Sequence, residues 1–151
     1  VSHDLMPPML KDFGLRMALE DLAQKINVAG KIQYTFKYYG PDDNISDEVK
    51  RCVFRVVQEI TNNIMKHAEA SRITVQVVNS GEELIISVED DGIGFNLREV
   101  LKRRKGLGLY SIRNRIRTFD GFLEIDSRPG RGTLFSFEIP LAEKTLQNQP
   151  N

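Results

Sequence analysis

The residues of this chain that could do chemistry begin with Glu59, Asn63, Lys66 and His67. At about 100° per residue, positions 49–67 sort into two stripes. Val49, Cys52, Val53, Val56, Ile60 and Ile64 share a broad apolar face, and Glu59, Asn63, Lys66 and His67 form a second stripe that overlaps its margin. Glu59 and Asn63 are therefore expected at the rim of a core, partly shielded from water. Polar groups in that position usually have a partner to satisfy. Asn63 offers a neutral oxygen suited to a hard cation such as Mg²⁺, which keeps waters and phosphate oxygens. Glu59, one turn earlier, can orient or deprotonate a nucleophile. Lys66 can meet phosphate as a point charge. Taken alone, such a stripe is more often a solvated helix face, and a lone His67 more often a structural histidine.

Two glycine boxes follow, Asp90-Asp91-Gly92-Ile93-Gly94 and Gly106-Leu107-Gly108-Leu109. Gly92 and Gly94 allow positive φ and the close approach of a flat ligand to the backbone. A carboxylate at the strand end beside such a loop can accept the exocyclic amine of adenine, where guanine carries a carbonyl. Asp-Gly is also an ordinary turn after a strand. The second box precedes a helix, whose free amides and positive dipole end favour phosphate. It is not a Walker loop, since Gly-Lys-Ser/Thr is missing, and no dinucleotide fingerprint follows a strand. A third glycine turn, Gly130-Arg131-Gly132-Thr133, opens the last strand.

These segments must be positioned by a small core. At 151 residues with 40% apolar content, one domain is expected. Lys plus Arg equals Asp plus Glu at 21 each, which gives no overall drive toward nucleic acid or an anionic membrane. The charge is uneven: Lys102-Arg103-Arg104-Lys105 is a basic run, and Arg113, Arg115 and Arg117 follow. The single cysteine, Cys52, excludes an internal disulfide and sits in the apolar stripe, so it is expected in the core. No apolar run approaches the roughly twenty residues that span a bilayer.

Periodicity predicts a helix over 14–26, with Leu15, Ala18, Leu19, Leu22 and Ile26 on one face. A strand is predicted through Ile32, Tyr34 and Phe36. Ser46 is expected to cap a long helix running to His67, with Asp47 and Glu48 in its first turn. Ile73, Val75 and Val77, then Leu84, Ile86 and Val88, predict two strands joined by a hairpin at 79–82. A polar stretch of about twelve residues leads to a short helix carrying Leu109, Ile112, Ile116 and Phe119 inward. Two further strands are predicted, over 122–126 and from Thr133 through Phe135, Phe137 and Ile139. The whole predicts an α+β two-layer sandwich, its mixed, mostly antiparallel sheet covered by helices on one face. Residues 1–13, with Pro7-Pro8, are expected to be a connector, 14–141 the domain, and 142–151 a frayed tail.

Together the polar helix, the glycine boxes and Thr133 resemble the ATP-binding domain of bacterial sensor histidine kinases, within the superfamily that includes gyrase, Hsp90 and MutL. The resemblance covers about residues 14–141 and implies the Bergerat-type ATP-binding fold. It implies that Asn63 is the Mg²⁺ ligand and that Glu59, Lys66 and His67 match the same helix position by position. Asp90 becomes the adenine-reading aspartate, with Asp91 at the variable position and Thr133 supporting Asp90, often through water. Gly92, Gly94, Gly106, Leu107, Gly108 and Leu109 complete the nucleotide site, under a lid at about 96–105. That lid is short, similar to kinases of the nitrate-sensor and desaturase-sensor type. ATP, ADP and Mg²⁺ are the implied ligands. The implied partners are a histidine-bearing dimerisation domain of the same protein and a response regulator, the full-length protein being a homodimer. A cytoplasmic domain follows, from a parent that inner-membrane anchoring would suit.

His3-Asp4 is not expected to be the phosphoacceptor, because Pro7-Pro8 follows almost at once and leaves no room for a helix hairpin. Leu5-Met6-Pro7-Pro8 with Phe13-Gly14-Leu15 instead resembles the exit from such a hairpin into the ATP-binding domain. Two neighbouring readings share the pocket: an anti-sigma-factor serine kinase, and an ATP-binding regulatory module without turnover. Intact Glu59 and Asn63 argue against the module, and the connector against the serine kinase. A gyrase- or MutL-type ATPase would carry a transducer domain and a much longer lid.

Overall fold

The computed structural model describes residues 6–103 and 108–141. The elements are α1 (Pro8–Ala29), β1 (Gln33–Tyr39), α2 (Asp47–His67), β2 (Arg72–Asn79), β3 (Glu83–Asp90), α3 (Leu97–Arg103), α4 (Leu109–Arg117), β4 (Phe122–Ser127) and β5 (Thr133–Pro140). They form an α+β layer pair around one five-stranded mixed sheet of order β1-β2-β3-β5-β4. β1 lies parallel to β2, because the chain crosses over through α2; the other three pairings are antiparallel. Side chains alternate along every strand. Ile73, Val75, Val77, Leu84, Ile86, Val88, Phe135, Phe137 and Ile139 point into the core and are nearly or fully buried. Helices α1, α2 and α4 pack onto the sheet.

α2 forms as its sequence predicts. The Ser46 hydroxyl accepts from the Val49 amide at 3.2 Å, and Asp47 and Glu48 occupy the first turn. All six predicted face residues are buried, Cys52 among them, and Phe54, Val57 and Thr61 join them. Thr61 is a polar core residue with a partner: its hydroxyl meets that of Tyr34 at 2.8 Å, tying α2 to β1. Burial pushes the Tyr34 phenol up to about 12, against the smaller lowering by Thr61.

Two elements differ from the sequence expectation. α1 begins at Pro8, not at Gly14, because proline is tolerated in a first turn whose amides are free anyway. The Lys11 amide reaches the Pro7 carbonyl at 2.9 Å, and Leu10 is fully buried, which anchors this turn on the core. Gly14, at φ 89° and ψ 179°, kinks the helix there, so the expected boundary survives as a bend. The second difference is α3, a seven-residue helix inside the stretch expected to be an irregular lid. The Asn96 side chain accepts from the Glu99 amide at 3.1 Å and caps it. None of its residues is fully buried, although Leu97, Val100 and Leu101 pack against the core margin. With so little apolar burial, its periodic signal is weak.

Candidate functional site

The polar stripe of α2, the first glycine box and the last glycine turn meet at one end of the sheet, and the backbone holds them there. Ala68 caps α2, and its carbonyl accepts from the Ile93 amide at 2.8 Å. Gly92 lies against that same carbonyl so closely that a Cβ would overlap it. Its glycine requirement is therefore close approach; contrary to the sequence expectation, Gly92 does not take positive φ. Gly94 does, at 67°, and a Cβ there would overlap the Arg128 carbonyl. Two loops distant in sequence are thus clamped together, with α2 fixed beside them.

Asp90 ends β3 and is only 5% exposed. Its Oδ1 accepts from the Gly92 amide at 2.7 Å. Its Oδ2 is buried and has no hydrogen-bond partner among the described residues. Burial raises the Asp90 pKa, the Gly92 amide partly offsets this, and the Asp91 and Glu89 carboxylates add to the rise. Asp91 behaves oppositely. Its Oδ1 accepts from the Arg72 amide at 2.9 Å and the Ser71 amide at 2.8 Å, and these bonds, Arg72 first, lower its pKa. Adjacent carboxylates thus divide the work: Asp91 pins the start of β2, while Asp90 keeps an unspent acceptor.

That site opens on a cavity of about 270 Å³ lined by Asn63, Ile64, His67, Asp90, Gly94 and Thr133, among others. Ile93, Phe95, Val100 and Phe135 supply further apolar wall, and Arg103 of α3 lies at its margin. An apolar slot with a buried carboxylate on its floor suits a flat heterocycle carrying an amine. Asn63 is half-buried and His67 exposed, both on the lining. Lys66 is exposed and is not part of the lining. Glu59 is half-buried, and a Cβ placed on Gly108 would lie 2.9 Å from its Oε2. The start of α4 therefore approaches Glu59. Gly108 caps α4, and the Leu109 side chain is core, so any contact it makes with a ligand is through its backbone. Gly106, Leu107, Arg104, Lys105, His3 and the expected tail lie outside the described residues.

Thr133, 5% exposed, faces Asp90 across the β3–β5 ladder. Its hydroxyl is 2.7 Å from that of Ser127, which it pairs with across β4–β5. Ser127 was not singled out by sequence reasoning; its only local signal is its place before the Arg128-Pro129-Gly130 turn. The described residues contain no group of three or more His, Cys, Asp or Glu that would hold a metal by themselves. A cation here would depend on oxygens brought by a ligand, which fits a neutral amide such as Asn63.

Residues 48–143 match the family described as histidine kinase-, DNA gyrase B-, and HSP90-like ATPase. The sensor histidine kinase MctS of Rhizobium johnstonii is 32% identical over 150 residues, covering 99% of this chain and 32% of that protein. The signal transduction histidine-protein kinase/phosphatase DegS of Bacillus subtilis is 32% identical over 140 residues, or 90% of this chain and 36% of DegS. The chain thus spans about a third of these curated relatives. Among solved structures, the histidine kinase domain of a blue-light activated kinase from Erythrobacter litoralis superposes with a TM-score of 0.64 at 26% identity. That match covers 87% of this chain and 64% of the other.

Proposed function

This chain belongs to the histidine kinase-, DNA gyrase B- and HSP90-like ATPase family, and from that premise we propose that it binds Mg-ATP and transfers the γ-phosphoryl group to a histidine on a separate dimerisation domain. The observation that carries the reading is the buried Oδ2 of Asp90, which has no hydrogen-bond partner among the described residues and lies on the floor of an apolar slot. A buried acceptor without a donor is costly, and a ligand amine removes that cost. In this reading Asp90 accepts the adenine amine, with Thr133 beside it. Gly92 and Gly94 bring backbone to the base, and the Gly106-Leu107-Gly108-Leu109 segment meets phosphate at the start of α4. Asn63 would hold Mg²⁺, which would supply charge neutralisation on the phosphoryl group. His67 meets the phosphates from the cavity lining, and the exposed Lys66 reaches them from outside it.

Glu59 lies where the start of α4 approaches α2, and it orients the acceptor imidazole or takes its proton. The nitrogen of that imidazole forms a bond to the γ-phosphorus while the bond from phosphorus to the β–γ bridging oxygen breaks, and ADP leaves. Catalysis is then mainly positioning and charge stabilisation. The whole protein would be a homodimeric sensor kinase that phosphorylates a response regulator in two-component signalling. Calorimetric titration of the chain with ADP and GDP tests the reading. ADP should bind and GDP should bind much more weakly; equal affinity for the two bases would overturn it.

A further inference from the structure

We infer that the cleft between α3, α4 and β4 is an effector site for a free single-chain amphipathic carboxylate, of the medium-chain fatty acid class. Two cavities make the cleft. One, of about 160 Å³, lies over Leu109, Leu123 and Ile125; the other, of about 560 Å³, lies between α3 and the 127–129 turn. Leu97 and Leu101 wall both. The larger falls within the roughly 300–1,000 Å³ usual for small-molecule sites. An apolar trough takes an apolar body, and its unspent polar groups decide what else the occupant carries. The Tyr110 hydroxyl donates to the Leu101 carbonyl at 3.2 Å, Ser127 Oγ accepts from the Phe95 amide at 2.9 Å, and the Asn96 side-chain oxygen caps α3. These groups are engaged within the fold. The charged residues of the two linings are Arg98, Arg113 and Arg128, with no carboxylate among the described lining residues.

Arg113 selects the anion. Its guanidinium lies over the Tyr110 ring, 5.1 Å from the centroid, and its Nε is buried with no hydrogen-bond partner among the described residues. A buried donor without an acceptor is costly. Nε and one Nη of a guanidinium form a planar fork that a carboxylate meets with two parallel bonds. With its head on Arg113, a single chain can run over Leu123 and Ile125, past Leu101 and Leu97, into the larger cavity. Arg98 and Arg128 are exposed there, so their stems can lie along the chain while their charges stay in water. α3 is also a wall of the nucleotide cavity, through Val100 and Arg103. None of its seven residues is fully buried, so little apolar contact holds it. A chain packed against Leu97 and Leu101 adds burial that favours the position in which Val100 lines the nucleotide cavity. On the nucleotide reading above, on which this step rests, the carboxylate and ADP therefore tighten each other by the same factor.

Calorimetric titration of the whole chain with decanoate, below its micelle concentration, tests the site. Decanoate should bind. Decanol and decyltrimethylammonium share its chain without the anion and should bind about tenfold more weakly or worse. Arg113→Gln should weaken decanoate roughly tenfold to a hundredfold, the worth of a hydrogen bond to a charged group, and Arg113→Lys should recover part of the loss. ADP affinity without decanoate should be unchanged in Arg113→Gln, since Arg113 does not line the nucleotide cavity. Near-saturating decanoate should tighten ADP roughly fivefold or more in the wild type. Decanoate and decanol binding equally to the wild type would overturn the site whether or not the variants fold. So would an Arg113→Gln chain that keeps decanoate affinity, or binding to phosphatidylglycerol vesicles with none to free decanoate. Decanoate bound through Arg113 with no change in ADP affinity would overturn its role as an effector. A chain that bound decanoate through Arg113 but bound no ADP would overturn the nucleotide reading and support the cleft.

Discussion

Asp90 and Asp91 are neighbours with opposite electrostatics, and the contrast makes a testable pair. The Asp90 pKa is raised by burial, so the folded chain holds that proton more tightly than the unfolded chain. Its contribution to stability therefore falls as pH rises from the usual carboxylate range through the raised value. The Asp91 pKa is lowered by backbone amides, so its contribution is present above the usual range and is lost as pH falls through the depressed value. Asp90→Asn removes the buried charge but turns a donor toward the adenine amine. Affinity for ADP should fall tenfold to a hundredfold, for a cost of about 1–3 kcal/mol. The ligand-free variant should melt higher, by about 2–4 °C for each kcal/mol gained. A variant that kept ADP affinity would remove Asp90 from the site, and a lower melting temperature would contradict the cost assigned to its burial. Asn63 is tested through the cation. Asn63→Ala should weaken ATP in Mg²⁺ and leave binding under chelation nearly unchanged; equal behaviour in both conditions would return Asn63 to being a solvated helix residue.

At the scale of elements, the site depends on loops pressed together more tightly than side chains allow. Gly94 has a left-handed φ and also no space for a Cβ beside Arg128, whereas Gly81 has φ 95° in open space. Gly81→Ala should cost only the backbone strain, about 1–2 kcal/mol. Gly94→Ala adds displacement of the 128–132 turn, for a total of about 2–5 kcal/mol, and should also weaken ADP. Urea unfolding of the two variants separates these terms, since a stability loss moves the midpoint and leaves the slope unchanged. Equal midpoints for the two would mean that the clamp between the loops contributes nothing. α2 was legible in full because cap, first-turn acids and apolar stripe all agree. α3 was not, because a seven-residue helix with no fully buried side chain leaves little periodicity to read.

For the molecule as a whole, the sheet order carries the consequence. Placing β5 between β3 and β4 sets Thr133 opposite Asp90, although 43 positions separate them in the numbering. The proposed transfer goes to a histidine on a separate domain, and labelling tests it. Incubated alone with γ-labelled ATP, the chain should take up no acid-labile, base-stable label. Adding a dimerisation domain that carries the acceptor should produce labelling at a rate that depends on concentration. Glu59→Gln should hold nucleotide affinity within a few-fold while transfer drops by roughly 10²-fold or more, since a base acts mainly in the transition state. Label appearing on His3 in the isolated chain would overturn the separate-acceptor reading, and normal transfer by Glu59→Gln would remove the base role.

Local chemistry alone determined much of this protein. The stripe of Glu59 and Asn63 at the core rim, the strand ending at Asp90 and the Ser46 cap follow from periods of 3.6 and 2 and from residue type, which act within a few positions. Tertiary structure decided the rest. The parallel pairing of β1 with β2, the turn of α1 before Gly14, the tight seat of Gly92 on Ala68 and the Ser127–Thr133 bond all join residues through packing across the fold. Ser127 shows little in the sequence beyond its place before a turn, because its contacts with Phe95, Gly132 and Thr133 form only in the folded sheet.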